Sequence, residues 1–109
     1  MGGIVLRRIH YSIEFRSHLK ALREYLKTEF DKSVAVVVEK DIKNAVENLR
    51  TMPGIGVSIG ERFGFDTDYL CIYVRQNYIC YTYDEEDVYI LGMIHEKQEM
   101  ISAVRRLLK

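Results

Sequence analysis

Tyr69-Leu-Cys-Ile-Tyr-Val-Arg-Gln-Asn-Tyr-Ile-Cys-Tyr-Thr-Tyr-Asp84, followed by Val88-Tyr-Ile-Leu-Gly-Met-Ile-His95, constrains the possible folds of this chain more than any other stretch. It holds three runs rich in Val, Ile and Tyr, residues that suit a pleated, half-buried surface, separated by two short polar segments. The pattern predicts an antiparallel meander. Gln76-Asn77 falls where a tight hairpin turn belongs, since Asn tolerates a positive φ, and Asp84-Glu-Glu-Asp87 supplies the second turn. On that register Leu70, Ile72, Val74, Ile79, Tyr81 and Tyr83 share one face. The third strand adds either Val88, Ile90 and Ile94 or Tyr89, Leu91 and Met93. Both sets are largely apolar, so this strand is predicted to be central and covered on both sides.

Upstream, Arg8-Ile-His-Tyr-Ser-Ile13 alternates polar with apolar and reads as a half-buried strand with Ile9, Tyr11 and Ile13 inward. The period then changes. Phe15, Leu19, Leu22, Leu26 and Phe30 recur at steps of three and four, which predicts a helix over 15–30. Phe30-Asp-Lys-Ser33 breaks it and supplies a capping side chain. Val34, Val38, Ile42, Ala45, Leu49 and Met52 then mark a second helix ending before Pro53-Gly54. Only a short linker separates the two, so they form an antiparallel hairpin. Residues 53–68 carry four glycines and read as an ordered loop or a short edge strand around Gly56–Ile59. A phosphate cradle is disfavoured, because no strand immediately precedes the loop and no Gly-Lys-Ser/Thr follows it. A last helix over 96–108 has Met100, Ile101, Val104, Leu107 and Leu108 on one side; it either docks on the core or leaves an apolar groove for a partner.

The expected architecture is therefore α+β, in the order β-α-α-β-β-β-α, with the helical hairpin packed on one sheet face. A chain of 109 residues makes this a single domain over 1–109. Sixteen basic residues balance sixteen acidic ones, which excludes the strong positive field of an unspecific nucleic-acid binder. The stretch Met1–Leu6 has no signal-peptide or membrane-span character, so a soluble, cytoplasmic protein is expected, with no membrane partner. In that setting Cys71 and Cys80, on neighbouring strands, read as reduced core residues. No Cys-x-x-Cys or paired-His spacing points to a metal, and no cofactor motif occurs.

Pro53-Gly54 closing the hairpin, the Asn77-Tyr78-x-x-Tyr81 core and the ending Ile90-Leu-Gly-Met-Ile-His-Glu-Lys97 together resemble the toxins of the RelE/ParE superfamily, as does the element order over essentially the whole chain. The resemblance implies a toxin of a type II toxin–antitoxin pair, neutralised by a cognate antitoxin whose extended segment wraps it. Members of the superfamily are either ribosome-dependent mRNA endoribonucleases or DNA-gyrase poisons.

Metal-free RNA cleavage needs a base, cations that hold the phosphate, and an acid. His95 stands where one nuclease branch carries its histidine. Tyr81 is a candidate for stacking or proton donation, with Tyr78 and Tyr83 beside it. The family's usual arginines are replaced by Leu70 and Ile79, which leaves Arg75 and Arg62 as substitutes. The gyrase-poison reading needs no catalytic set and is favoured on that ground. Its partner-binding candidates are Met100, Ile101, Val104, Arg105 and Leu108 on the last helix. The runner-up is an endoribonuclease using His95 and Arg75. A third reading is a non-toxic member that only binds its antitoxin.

Overall fold

The computed structural model describes residues 6–108; Met1–Val5 and Lys109, and with them most of the segment read for targeting signals, lie outside the described residues. The order is β1 (Arg8–Tyr11), α1 (Ile13–Glu29), α2 (Lys32–Glu47), β2 (Val57–Ser58), α3 (Ile59–Phe63), β3 (Leu70–Val74), β4 (Asn77–Tyr83), β5 (Asp87–His95) and α4 (Met100–Leu107). The five strands form one sheet in the order β1-β5-β4-β3-β2. β1 runs parallel to β5, and every other pairing is antiparallel. The α+β meander with a helical hairpin on one face is the expected architecture, to which residues 53–68 add a two-residue edge strand and one helical turn.

Local chemistry moves several boundaries. Ser12 ends β1, because its side chain accepts from Phe15 N and starts α1 there. Ile13, expected inward on the strand, instead opens the helix and is exposed. Within the expected break, Asp31 caps α2 by accepting from Val34 N at 3.1 Å. The buried stripe of α2 is Ala35, Ile42 and Val46, with Leu49 on a 3-10 turn over Asn48–Arg50. That change of helical pitch swings Met52 out to solvent, and Phe30, beyond the end of α1, is also exposed. The two helices are clamped by Arg23, which donates from Nε and a terminal nitrogen to Glu39 at 2.6 and 2.8 Å; with Lys43 it holds the Glu39 carboxyl down at about 2.

The first hairpin turn sits one residue earlier than expected. Arg75 and Gln76 occupy it with φ of 50° and 66°, and Val74 pairs with Asn77. Asn77 thereby becomes the first residue of β4. It is buried and donates from Nδ2 to Arg75 O at 2.8 Å, a brace for a turn made without glycine.

A bulge in the β4–β5 pairing decides the faces of β5. Tyr81 pairs with Ile90 but Cys80 with Gly92, so one extra residue shifts the alternation. Val88, Ile90 and Met93 therefore join Phe15, Ile42, Val46, Leu49, Ile79 and Tyr81 in the core beneath the helical hairpin. Ile94, expected with Val88 and Ile90, turns to the opposite face and packs with Ile59, Cys71, Cys80, Ala103 and Val104 under α3 and α4. Covered on both faces and paired with β1 and β4, β5 is the central strand the sequence suggested. Gly92 lies at the bulge and beneath α4: a Cβ there would come within 2.6 Å of Leu107 Cδ2.

Candidate functional site

β1 ends at Tyr11, so the outer edge of β5 from Leu91 to His95 has no strand beside it. Side chains take the place of a neighbouring strand. Ser12 Oγ donates to Leu91 O at 2.6 Å, His18 Nδ1 accepts from Met93 N at 3.1 Å, and Gln98 Oε1 accepts from His95 N at 2.8 Å. These contacts satisfy main-chain groups that would otherwise be orphaned.

Beside this edge runs a groove of about 1000 Å³. One wall is the apolar flank of the hairpin, including Leu22, Tyr25, Leu26, Phe30, Val34 and Val38. The other is the end of the sheet, with Arg75, Asn77, Met93, His95 and Gln98. Tyr25 and Phe30, both in this wall, are 57% and 63% exposed, so the groove presents apolar surface to solvent. A long apolar wall opposite a strand edge already capped by side chains suits the apolar face of a polypeptide segment better than a small polar substrate.

His18 is the titratable member of that edge. Burial lowers its pKa, with Arg106 adding to the effect and Glu14 opposing it. A neutral ring is needed, because protonated Nδ1 cannot accept from Met93 N. Its folded pKa lies below the unfolded value, so its stabilising contribution is complete above about pH 6.5 and is lost as the pH falls through the folded pKa. Chemical denaturation from pH 7.5 to 5 should show this loss in the wild type and a weaker pH dependence in His18→Gln. Equal slopes in the two proteins would contradict the assignment.

Of the four residues singled out for chemistry, the structure brings two together. Arg75 and His95 both line the groove. Arg75 is ion-paired with Asp41 on α2, at 2.8 Å from Nε and 2.6 Å from a terminal nitrogen. His95 Nδ1 accepts from Lys97 N at 3.1 Å, which shapes the turn leading to α4. Arg62 projects from α3 into a separate hollow of about 650 Å³ with Cys71, Tyr73, Tyr78 and Glu96. Tyr81 is fully buried; its hydroxyl donates to Pro53 O at 2.6 Å and accepts from Gly56 N at 3.0 Å, and burial raises its pKa. It ties residues 53–56 to the sheet.

Residues 9–100 match the family described as "ParE toxin of type II toxin-antitoxin system, parDE". The chain belongs to the ParE toxin family. Among solved structures it is similar to a chain of the chromosomal ParDE toxin–antitoxin system from P. aeruginosa, with a TM-score of 0.68 at 11% identity, over 83% of this chain and 96% of that one. That likeness is one of fold. No curated protein gives a significant sequence match.

In this ParE chain α4 docks on the sheet, the first of the two alternatives its apolar stripe allowed. Val104 is buried, Met100 and Leu108 are partly buried against the same cluster, and Ile101 and Arg105 remain exposed. The edge-satisfying pair His18 and Gln98 escaped the sequence reading. For His18, the i+3/i+4 neighbours Ala21 and Leu22 on the groove-lining side of α1 were the available signal. Among the described residues no helix is long and apolar enough to cross a membrane.

Proposed function

We propose that this ParE-type toxin stops growth in the cytoplasm by binding an essential protein, DNA gyrase, and that its antitoxin neutralises it by laying an apolar segment into the groove between α1 and β5. The single observation that carries this reading is the dispersal of the residues available for RNA cleavage. Tyr81 is sealed in the core, Arg62 lies in another hollow, and Arg75 is neutralised by Asp41. Of the cations lining the groove, Arg75 is held by Asp41 and Lys97 is a single charge, so a transition state gaining negative charge would meet no paired clamp. A protein-binding toxin needs only a stable surface, and α4 offers Ile101, Arg105 and Arg106, all exposed.

A second reading, ribosome-dependent mRNA cleavage, is supported by the meeting of Arg75 and His95 in one groove. The two readings part at those residues. The double variant Arg75→Ala/His95→Ala, induced without antitoxin, should arrest growth as the wild type does, within a factor of about two in plating efficiency. Loss of toxicity by several orders of magnitude, with the purified variant still folded, would transfer the assignment to the nuclease. A wild-type chain that leaves growth untouched but binds its antitoxin would mark a non-toxic member.

A further inference from the structure

Cys71 on β3 and Cys80 on β4 are register partners, both 1% exposed and both free thiols. The two-residue turn makes Val74 and Asn77 the first, hydrogen-bonded pair of the hairpin, and bonded and non-bonded pairs alternate from there. Tyr73–Tyr78 is non-bonded, Ile72–Ile79 bonded, and Cys71–Cys80 non-bonded. Partners of the non-bonded kind have Cα atoms about 4.5 Å apart and side chains on one face. That separation falls within the roughly 4.4–6.8 Å that a disulfide spans.

The two thiols differ in their surroundings. Both belong to the cluster with Ile94, Ala103 and Val104, but only Cys71 also lines the hollow that holds Arg62. Burial raises both thiol pKa values; Arg62 opposes the rise at Cys71, while Cys80, with Cys71 adding to the effect of burial, is pushed up to about 12. Cys71, the less perturbed of the two thiols, is therefore also the one beside the hollow, and at 1% exposure a solute there reaches it only when the wall of the hollow opens.

We infer that Cys71 and Cys80 form a redox-active pair, Cys71 attacking and Cys80 resolving, which a small anionic disulfide entering the Arg62 hollow converts into a cross-strand disulfide. With oxidised glutathione as the oxidant, the Cys71 thiolate attacks one glutathione sulfur; the Cys71–glutathione bond forms, the glutathione S–S bond breaks, and one glutathione thiolate leaves. The Cys80 thiolate then attacks Cys71 sulfur and expels the second glutathione thiolate. The two protons lost from the cysteines end on the two reduced glutathiones, and the two electrons pass from the cysteine pair to the oxidant. The second step joins register partners within one hairpin, and the bond then fixes β3 to β4 beneath α4.

The test is incubation of the folded full chain with oxidised glutathione at pH 8, followed by acid quench and intact-mass analysis. Wild type should end lighter by two hydrogens with no glutathione attached. Cys80→Ser should stop at a single glutathione on Cys71, and Cys71→Ser should react at least about tenfold more slowly. Arg62→Gln, at the surface of the hollow, should slow the first step several-fold, and this readout stands if Cys71→Ser does not fold. Wild type that keeps both thiols, or carries glutathione on both, would overturn the proposal. So would equal rates for the two serine variants, or an Arg62→Gln rate matching that of wild type.

Discussion

Replacing Tyr25 and Phe30 together by Ala should weaken antitoxin binding at least about a hundredfold while leaving toxicity and melting temperature nearly unchanged. Both side chains are more than half exposed in the free toxin, so their removal takes little from its own packing. Both line the groove, and buried aromatic anchors at protein interfaces cost about 2–4 kcal/mol each when truncated. At 1.4 kcal/mol per tenfold, even the lower value for the pair exceeds a hundredfold. The expected phenotype is a toxin that the antitoxin no longer rescues. Titration calorimetry of the purified variant with the antitoxin measures the loss directly. Affinity within a factor of about three of wild type would place the antitoxin elsewhere and remove the groove from the account.

The second large effect is on stability. Tyr81→Phe should lower the unfolding free energy by about 2–4 kcal/mol, because it strips hydrogen bonds from Pro53 O and Gly56 N together. For a domain of this size that corresponds to a fall in melting temperature of roughly 10–20 °C. Nothing can fill the place of the hydroxyl from the other side: a Cβ on Gly56 would lie 2.5 Å from that oxygen and 2.8 Å from Cys71 O. Residues 53–56 should lose amide protection first, since the tyrosine ties them to the sheet. Below its melting temperature the variant should remain fully toxic, because a buried hydroxyl occupied by two backbone groups takes no part in chemistry. A stable but non-toxic Phe variant would return Tyr81 to the list of catalytic candidates.

The two kinds of expectation fared differently for physical reasons. Strand alternation and helical stripes reflect burial along one element, and these placed α1, α2, β3, β4 and β5 correctly. What periodicity could not carry was any step that depends on two elements meeting. The bulge sets Gly92 opposite Cys80 and beneath Leu107 of α4, a meeting of two elements that no local pattern signals, and it moved Ile94 from one core cluster to the other. The turn at Arg75-Gln76 lacks the glycine that marks such turns, so Asn77 drew the expectation one residue along. Tyr81 was legible as a strand tyrosine, but its partners lie 25 and 28 residues upstream, and no local pattern signals them. His18 was hidden in the same way, since the main-chain group it satisfies belongs to a strand 75 residues away.

The account makes this ParE chain a toxin whose surface, not a catalytic set, carries its activity, and pulse labelling tests that most directly. Within minutes of inducing the chain alone, labelled thymidine incorporation should fall while labelled methionine incorporation continues. Arg75→Ala/His95→Ala should reproduce the same order of events. Translation stopping first, with cleaved mRNA and with the double variant inert, would contradict the account.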